Sequence, residues 1–130
     1  MTNADHAILA LLWSETDDDG EPFDSLTLEV SKQLKSLVTA DWECFRENIE
    51  RLGFDADEHC ARMLHPDCEG DAWNAAAHDF ILTRNGHGTG FWDSGRWAAP
   101  WGEKLTELCK IYPELHCYIG PDDRVYAEVG

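Results

Sequence analysis

The sequence predicts an α+β fold in which N-terminal helices pack on an antiparallel sheet built from two β-hairpins with an intervening helix. Three observations predict it. Apolar residues from Leu26 to Leu52 recur every three or four positions, the period of an amphipathic helix. Asn85-Gly86 stands between two β-prone arms, and a type I′ turn needs positive φ at both central positions, which these residues tolerate. Leu115 to Ile119 and Arg124 to Val129 alternate around Gly120-Pro121-Asp122-Asp123, a second hairpin.

The 130 residues form one domain spanning the whole chain, long enough to bury a single core. Thr2 or Asn3 caps a first helix, Asp5 completes a capping-box pattern, and Ile8, Leu11 and Leu12 fall on one face. The helix stops near Trp13-Ser14, and Gly20 and Pro22 interrupt the acidic stretch that follows. Asp24 or Ser25 opens a second helix with Leu26, Val30, Leu34, Leu37 and Val38 inward. Thr39 restarts a third, burying Trp42, Phe45, Ile49 and Leu52, and Gly53-Phe54 reads as a Schellman stop. Asp55 with Glu58 caps a short helix reaching Leu64, which His65-Pro66 ends.

Residues 70–77 read as a connector carrying at most one helical turn around Trp73. The first hairpin then covers residues 78–93, and its two-residue turn pairs Arg84 with His87 and His78 with Asp93. Gly88 and Gly90 in its second arm mark a close approach by a large ring such as Trp92, Trp97 or Trp101. A helix from about Trp101 to Tyr112 turns Trp101, Leu105, Leu108 and Cys109 inward and ends at Pro113.

Charge is the loudest compositional fact, with 26 acidic against 10 basic residues and a formal net charge of -16. It is uneven: residues 1–71 hold 18 Asp/Glu and 5 Lys/Arg, while residues 72–130 hold 8 and 5. Such a field repels nucleic acid and anionic membrane, so direct binding to either is excluded, and it draws in basic surfaces. The carboxylates placed to meet a basic partner are Asp17, Asp18, Asp19, Glu21, Asp41, Glu43, Glu47, Glu50, Asp55, Asp57 and Glu58. Carried on helices, they could stand in for duplex phosphates, which supply one charge per about 1.7 Å of axis. The alternative is a solvated face that keeps a small protein soluble.

No metal or cofactor is expected. Glu15, Asp17, Asp19 and Gly20 match the start of a calcium loop, but Leu26 occupies the position of its bidentate Glu. His59, Cys60, His65 and Cys68 are zinc-type donors whose spacing fits no closed structural site, so Cys60 and Cys68 are expected as small, partly buried thiols. Five cysteines, an odd number without a C-x-x-C pair, and no leader-like apolar start point to a reducing cytoplasm. No apolar run reaches the length of a membrane span.

The hairpin stretch Asp79-Phe80-Ile81-Leu82-Thr83-Arg84-Asn85-Gly86-His87-Gly88-Thr89-Gly90-Phe91-Trp92-Asp93 resembles the DFxLTRNGHGxGFWD signature of small phage-encoded proteins of uncharacterised function. Residues 12–24 are similar to their N-terminal LWSxTDDDGxPxD, and residues 117–126 to their closing YxGxDxxxY. Residues 94–101 and Pro121 depart from the pattern. The resemblance implies a phage protein working in host cytoplasm and names no mechanism. By analogy with other small acidic phage proteins it implies a DNA mimic that blocks the cationic nucleic-acid site of a host complex, such as a restriction or CRISPR effector.

A catalytic alternative rests on the same hairpin. His78 beside Asp93 would gain basicity, and Arg84 with His87 would crown the turn where an anion docks. Against it, the segment holds no serine or cysteine nucleophile, and Gly86, Gly88 and Gly90 belong to a strand instead of opening a helix.

Overall fold

In the computed structural model, residues 2–16, 19–23, 28–60, 72–86, 90–92 and 96–129 are described. Thr2 opens α1 (Asn3–Ser14) with the expected capping box: its hydroxyl accepts from Asp5 N at 3.1 Å, and its own N–H donates to the Asp5 carboxylate at 2.8 Å. Ala4, Ala7, Ile8, Ala10, Leu11 and Leu12 form the buried face of α1.

The two helices expected on either side of Thr39 are one, α2 (Lys32–Arg51), capped by Ser31. Nothing between Lys32 and Arg51 is Gly or Pro, so helix propagation, which adds one hydrogen bond per residue fixed, continues through Thr39. The helix expected to open at Asp24 or Ser25 does not run through Val30: residues 28–31 are not helical and Val30 bridges Val125, while residues 24–27 lie outside the described residues. Leu34, Val38, Trp42, Phe45 and Ile49 make the buried stripe of α2. Leu52, expected inward, is 52% exposed. Gly53 (φ 96°) and Phe54 close α2 as a Schellman motif: Gly53 N donates to Glu50 O at 3.0 Å and Phe54 N to Ile49 O at 3.0 Å. Asp55 then caps α3 (Ala56–His59), one turn long; the helix expected to reach Leu64 stops at His59, because Cys60 is extended and bridges Trp97, and residues 61–64 lie outside the described residues.

The largest correction falls on residues 72–86. The connector and first hairpin arm are a helix, α4 (Ala72–Arg84), so the 78–93 hairpin does not form and the sheet holds a single hairpin. Ala75, Ala76 and Ala77 favour it, alanine being the strongest helix former, and their preference with the cooperativity of the helix outweighs the β-branched Ile81 and Thr83. Asn85-Gly86 serves as its stop. Gly86 takes φ 69° and donates to Thr83 O at 3.1 Å. The left-handed residue that a hairpin turn needs is also what a helix terminus needs.

α4 lies at the centre of the fold, with α1 as its main neighbour. Ten of its thirteen residues are buried, which is why no single apolar stripe marks it. Phe80 stacks on Phe45 of α2 with ring centroids 4.5 Å apart, and Trp42, Phe91 and Tyr112 close around the pair. Each such buried ring contributes about 2–3 kcal/mol of apolar burial. α5 (Trp101–Cys109) buries Leu105 and Cys109 against this core.

β1 (Leu115–Ile119) and β2 (Val125–Val129) form the expected C-terminal hairpin, antiparallel with Leu115 opposite Val129 and Ile119 opposite Val125. Its outer edges are occupied by other groups. On the β2 side, Val125 N donates to Glu29 O and Ser31 N to Val125 O, both at 2.9 Å, and the Gln33 amide brackets Ala127. On the β1 side the Asn85 amide brackets Leu115, and the Glu15 carboxylate accepts from Cys117 N at 3.2 Å. The backbone of Glu29 and Ser31 and the side chains of Gln33, Asn85 and Glu15 thus take the place of neighbouring strands and blunt both edges.

Candidate functional site

The acidic residues separate into three groups. Glu43, Glu47 and Glu50 are exposed at three and four residue spacing, within about 60° of one another around α2, opposite its buried stripe. Asp55, Asp57 and Glu58 are exposed just beyond the Schellman turn. Asp19 and Glu21 are exposed in the loop after α1, and Asp17 and Asp18 lie outside the described residues. The row on α2 carries two guanidinium groups beside it: Arg46 Nε is 3.2 Å from Glu50, and Arg51 pairs with Glu47. Both pairs are solvent-accessible i,i+4 contacts, worth about 0.3–0.5 kcal/mol each, so a partner's cations compete with them easily.

Asp41 leaves the acidic row altogether. Arg84, whose side chain is fully buried, donates to its carboxylate at 2.8 Å and gives two further bonds to Pro113 O, at 3.0 and 2.7 Å. A residue expected to face a partner and one expected to crown a catalytic turn therefore neutralise each other inside the fold. Arg84 also lies over the Phe80 and Tyr112 rings, at 5.4 and 5.3 Å. With three of its five N–H groups bonded and two rings beneath it, Arg84 is a structural group.

The hairpin pairings of Arg84 with His87 and His78 with Asp93 go with the hairpin. Arg84 and His78 sit on one helix instead, and His87 and Asp93 lie outside the described residues. His78 is half-exposed, its ring 5.9 Å from that of Trp13 and its Nδ1 3.9 Å from Asp79. Asp79 is buried, and Arg96 reaches both its oxygens at 3.0 and 3.1 Å while the Trp97 indole N–H donates to it at 2.8 Å. That carboxylate ties the segment after α4 back to the core. Both its oxygens are already bonded.

The cysteines offer no activated nucleophile in the core. Burial pushes the Cys109 thiol far above its ordinary value. Burial, with Glu15 nearby, pushes Cys117 up to about 12. Cys60 is disulfide-bonded, a departure from the thiol expected there, whereas Cys44, Cys109 and Cys117 are free. His59 stacks on Phe54 at 5.5 Å and meets Trp101 at 5.2 Å, so it belongs to an aromatic cluster. Among the described residues no group of three or more His, Cys, Asp or Glu side chains is placed to hold a metal, and no helix is long and apolar enough to cross a membrane.

Two concavities flank the half-exposed Trp92, a ring expected against a sheet. One, of about 340 Å³, includes Thr83, Arg84, Thr106, Lys110 and Tyr112. Its cations are engaged, Arg84 as above and Lys110 with Glu107 at 2.7 Å. The other lies at the start of α5 and combines Phe91, Trp97 and Pro100 with Glu103. The closeness of Phe91, Trp92 and Trp97 along the chain was the sequence signal for it. Compared with known protein families, curated proteins and solved structures, the chain matches none.

Proposed function

We propose that the chain is an interaction protein whose carboxylates engage a basic surface on a partner, and that the partner is a host nucleic-acid-binding protein or complex whose cationic channel they occupy. The observation that carries this reading is the run of six exposed carboxylates between Glu43 and Glu58, three of them in one row on α2. Seven residues of helix separate Glu43 from Glu50, about 10 Å, a span in which one DNA strand presents about three phosphates. Three carboxylates over that length match the spacing of single-strand phosphates, and reach their charge density only when a partner's cations displace Arg46 from Glu50 and Arg51 from Glu47. The net charge of -16 adds long-range attraction for a cationic partner and repulsion from nucleic acid itself. An inhibitor of a restriction or CRISPR effector is the form of this activity that fits a phage setting.

The test is capture from bacterial lysate on immobilised protein at about 0.1 M and 1 M salt, where the screening length falls from about 10 to 3 Å. A nucleic-acid-binding protein should be retained at low salt, released at high salt and displaced by added duplex DNA. The triple substitution Glu43→Lys, Glu47→Lys, Glu50→Lys should abolish retention. Capture that ignores salt, DNA and the triple substitution overturns the reading.

A further inference from the structure

The concavity at the start of α5 has a volume of about 290 Å³ and is lined, among the described residues, chiefly by Phe91, Trp92, Trp97, Pro100 and Glu103. At that size it suits one side chain, being just below the range of pockets that hold drug-sized ligands. Phe91 and Trp97 are buried, with ring centroids 5.9 Å apart, whereas Trp92 is 53% exposed. Glu103 is exposed, and no hydrogen bond or ion pair reaches its carboxylate from any described residue. The neighbouring cations are turned elsewhere: Arg96 to Asp79, and Lys104 to the Trp101 ring at 4.9 Å.

Three indole or phenyl rings, a proline and one unpaired carboxylate are the elements that recognise an organic cation, since ring quadrupole and carboxylate both attract positive charge. The amino-terminal end of α5 opposes this with about half a positive charge. The full charge of Glu103 outweighs it, and the field of the whole chain adds to Glu103.

We propose that this pocket receives an arginine side chain of the partner, its guanidinium against the rings and within reach of Glu103. The planar guanidinium stacks on aromatic faces and is more weakly hydrated than an ammonium, so it loses less on entering. The proposal rests on the cationic-partner reading and supplies it with a specific anchor separate from the row on α2.

Nα-acetyl-arginine amide, a single charge with no polycationic pull, is the probe, and its neutral isostere Nα-acetyl-citrulline amide is the control. Titration followed by the tryptophan indole N–H resonances should show saturable shifts at Trp92 and Trp97 with the arginine compound. Citrulline should bind at least about fivefold more weakly, and Trp92→Ala and Glu103→Gln should each weaken arginine about fivefold, as expected for about 1 kcal/mol per contact. Equal binding of citrulline, shifts unaffected by both substitutions, or no saturable shift overturns the pocket assignment. Both substituted positions are exposed, and circular dichroism verifies that the fold is kept. The triple lysine variant of α2 should bind the arginine compound within about twofold of the parent, a loss smaller than that of one cation–π contact. Failure here with salt-sensitive capture intact removes the anchor alone; binding here with capture lost removes the acidic-row reading and leaves an organic-cation site.

Discussion

The Asn85 side-chain amide lies against the Leu115 peptide as a neighbouring strand would, donating to its carbonyl at 3.1 Å and accepting from its N–H at 2.8 Å. One residue thereby ends α4 and covers the edge of β1. Asn85→Ala leaves both Leu115 groups without their partners at a part-buried edge and should cost about 1–3 kcal/mol. Asn85→Asp at neutral pH keeps the acceptor but sets an oxygen against the Leu115 carbonyl, so it should be no more stable than the alanine variant. Urea denaturation checks both, and an aspartate variant as stable as the parent would contradict the paired geometry.

Arg84 joins α4 to α2 through Asp41 and to the segment before β1 through Pro113. A lysine cannot give two bonds to Pro113 O and a third to Asp41 from one planar fork. Arg84→Lys should therefore destabilise by about 3 kcal/mol, the range for breaking a buried charged contact. Asp41→Asn keeps an oxygen acceptor but leaves the buried Arg84 guanidinium without its counter-charge, so it should also destabilise, by about 2–3 kcal/mol, water at the 32% exposed Asp41 side chain offsetting part of the loss. Thermal unfolding of the two variants tests this; a loss below about 1 kcal/mol for either would contradict a buried, neutralised Arg84.

Gly90 holds φ 152°, and a Cβ there would lie 2.3 Å from Thr83 Oγ1. The same hydroxyl accepts from Phe91 N at 3.0 Å, so it cannot swing away without losing that bond. Gly90→Ala should cost about 2–4 kcal/mol, the sum of backbone strain and steric overlap. In a Thr83→Ala background the overlap with Oγ1 disappears and the strain stays, so the added cost of Gly90→Ala should fall by about half. Identical costs in both backgrounds would mean that Gly90 and Thr83 do not meet.

Elements whose signals are local were legible in the chain. The capping box of Thr2 and Asp5, the Schellman stop at Gly53-Phe54 and the hairpin around residues 120–123 depend on neighbours a few positions apart, and each stands as expected. α4 was not legible. It is buried nearly all round, so neither helical nor strand periodicity shows, and its Asn85-Gly86 stop has the same left-handed requirement as a hairpin turn. Of the candidate acidic residues, Glu43, Glu47 and Glu50 were expected away from the apolar positions of their helix, and the structure shows them exposed there, on one face. The capture of Asp41 by Arg84 did not, because the partners are 43 residues apart and meet only once α2 packs near α4.

Tyr112 supplies an aromatic wall to the core, edge-on to Phe45 and Phe80 at 5.9 and 5.1 Å. Its hydroxyl is buried and makes no well-formed hydrogen bond to any described residue, the Cys44 thiol being a weak partner, and burial together with that thiol pushes the phenol well above its ordinary range. An unsatisfied buried hydroxyl costs about 1–3 kcal/mol, whereas the ring contributes through packing alone. Tyr112→Phe removes the cost and keeps the ring, so it should be neutral or raise stability by up to about 1 kcal/mol. Tyr112→Leu, which loses the edge-on contacts and part of the volume, should lower it by about 2 kcal/mol. Urea midpoints in that order support the packing role; a loss above about 1 kcal/mol on Tyr112→Phe would show that the hydroxyl has a partner after all.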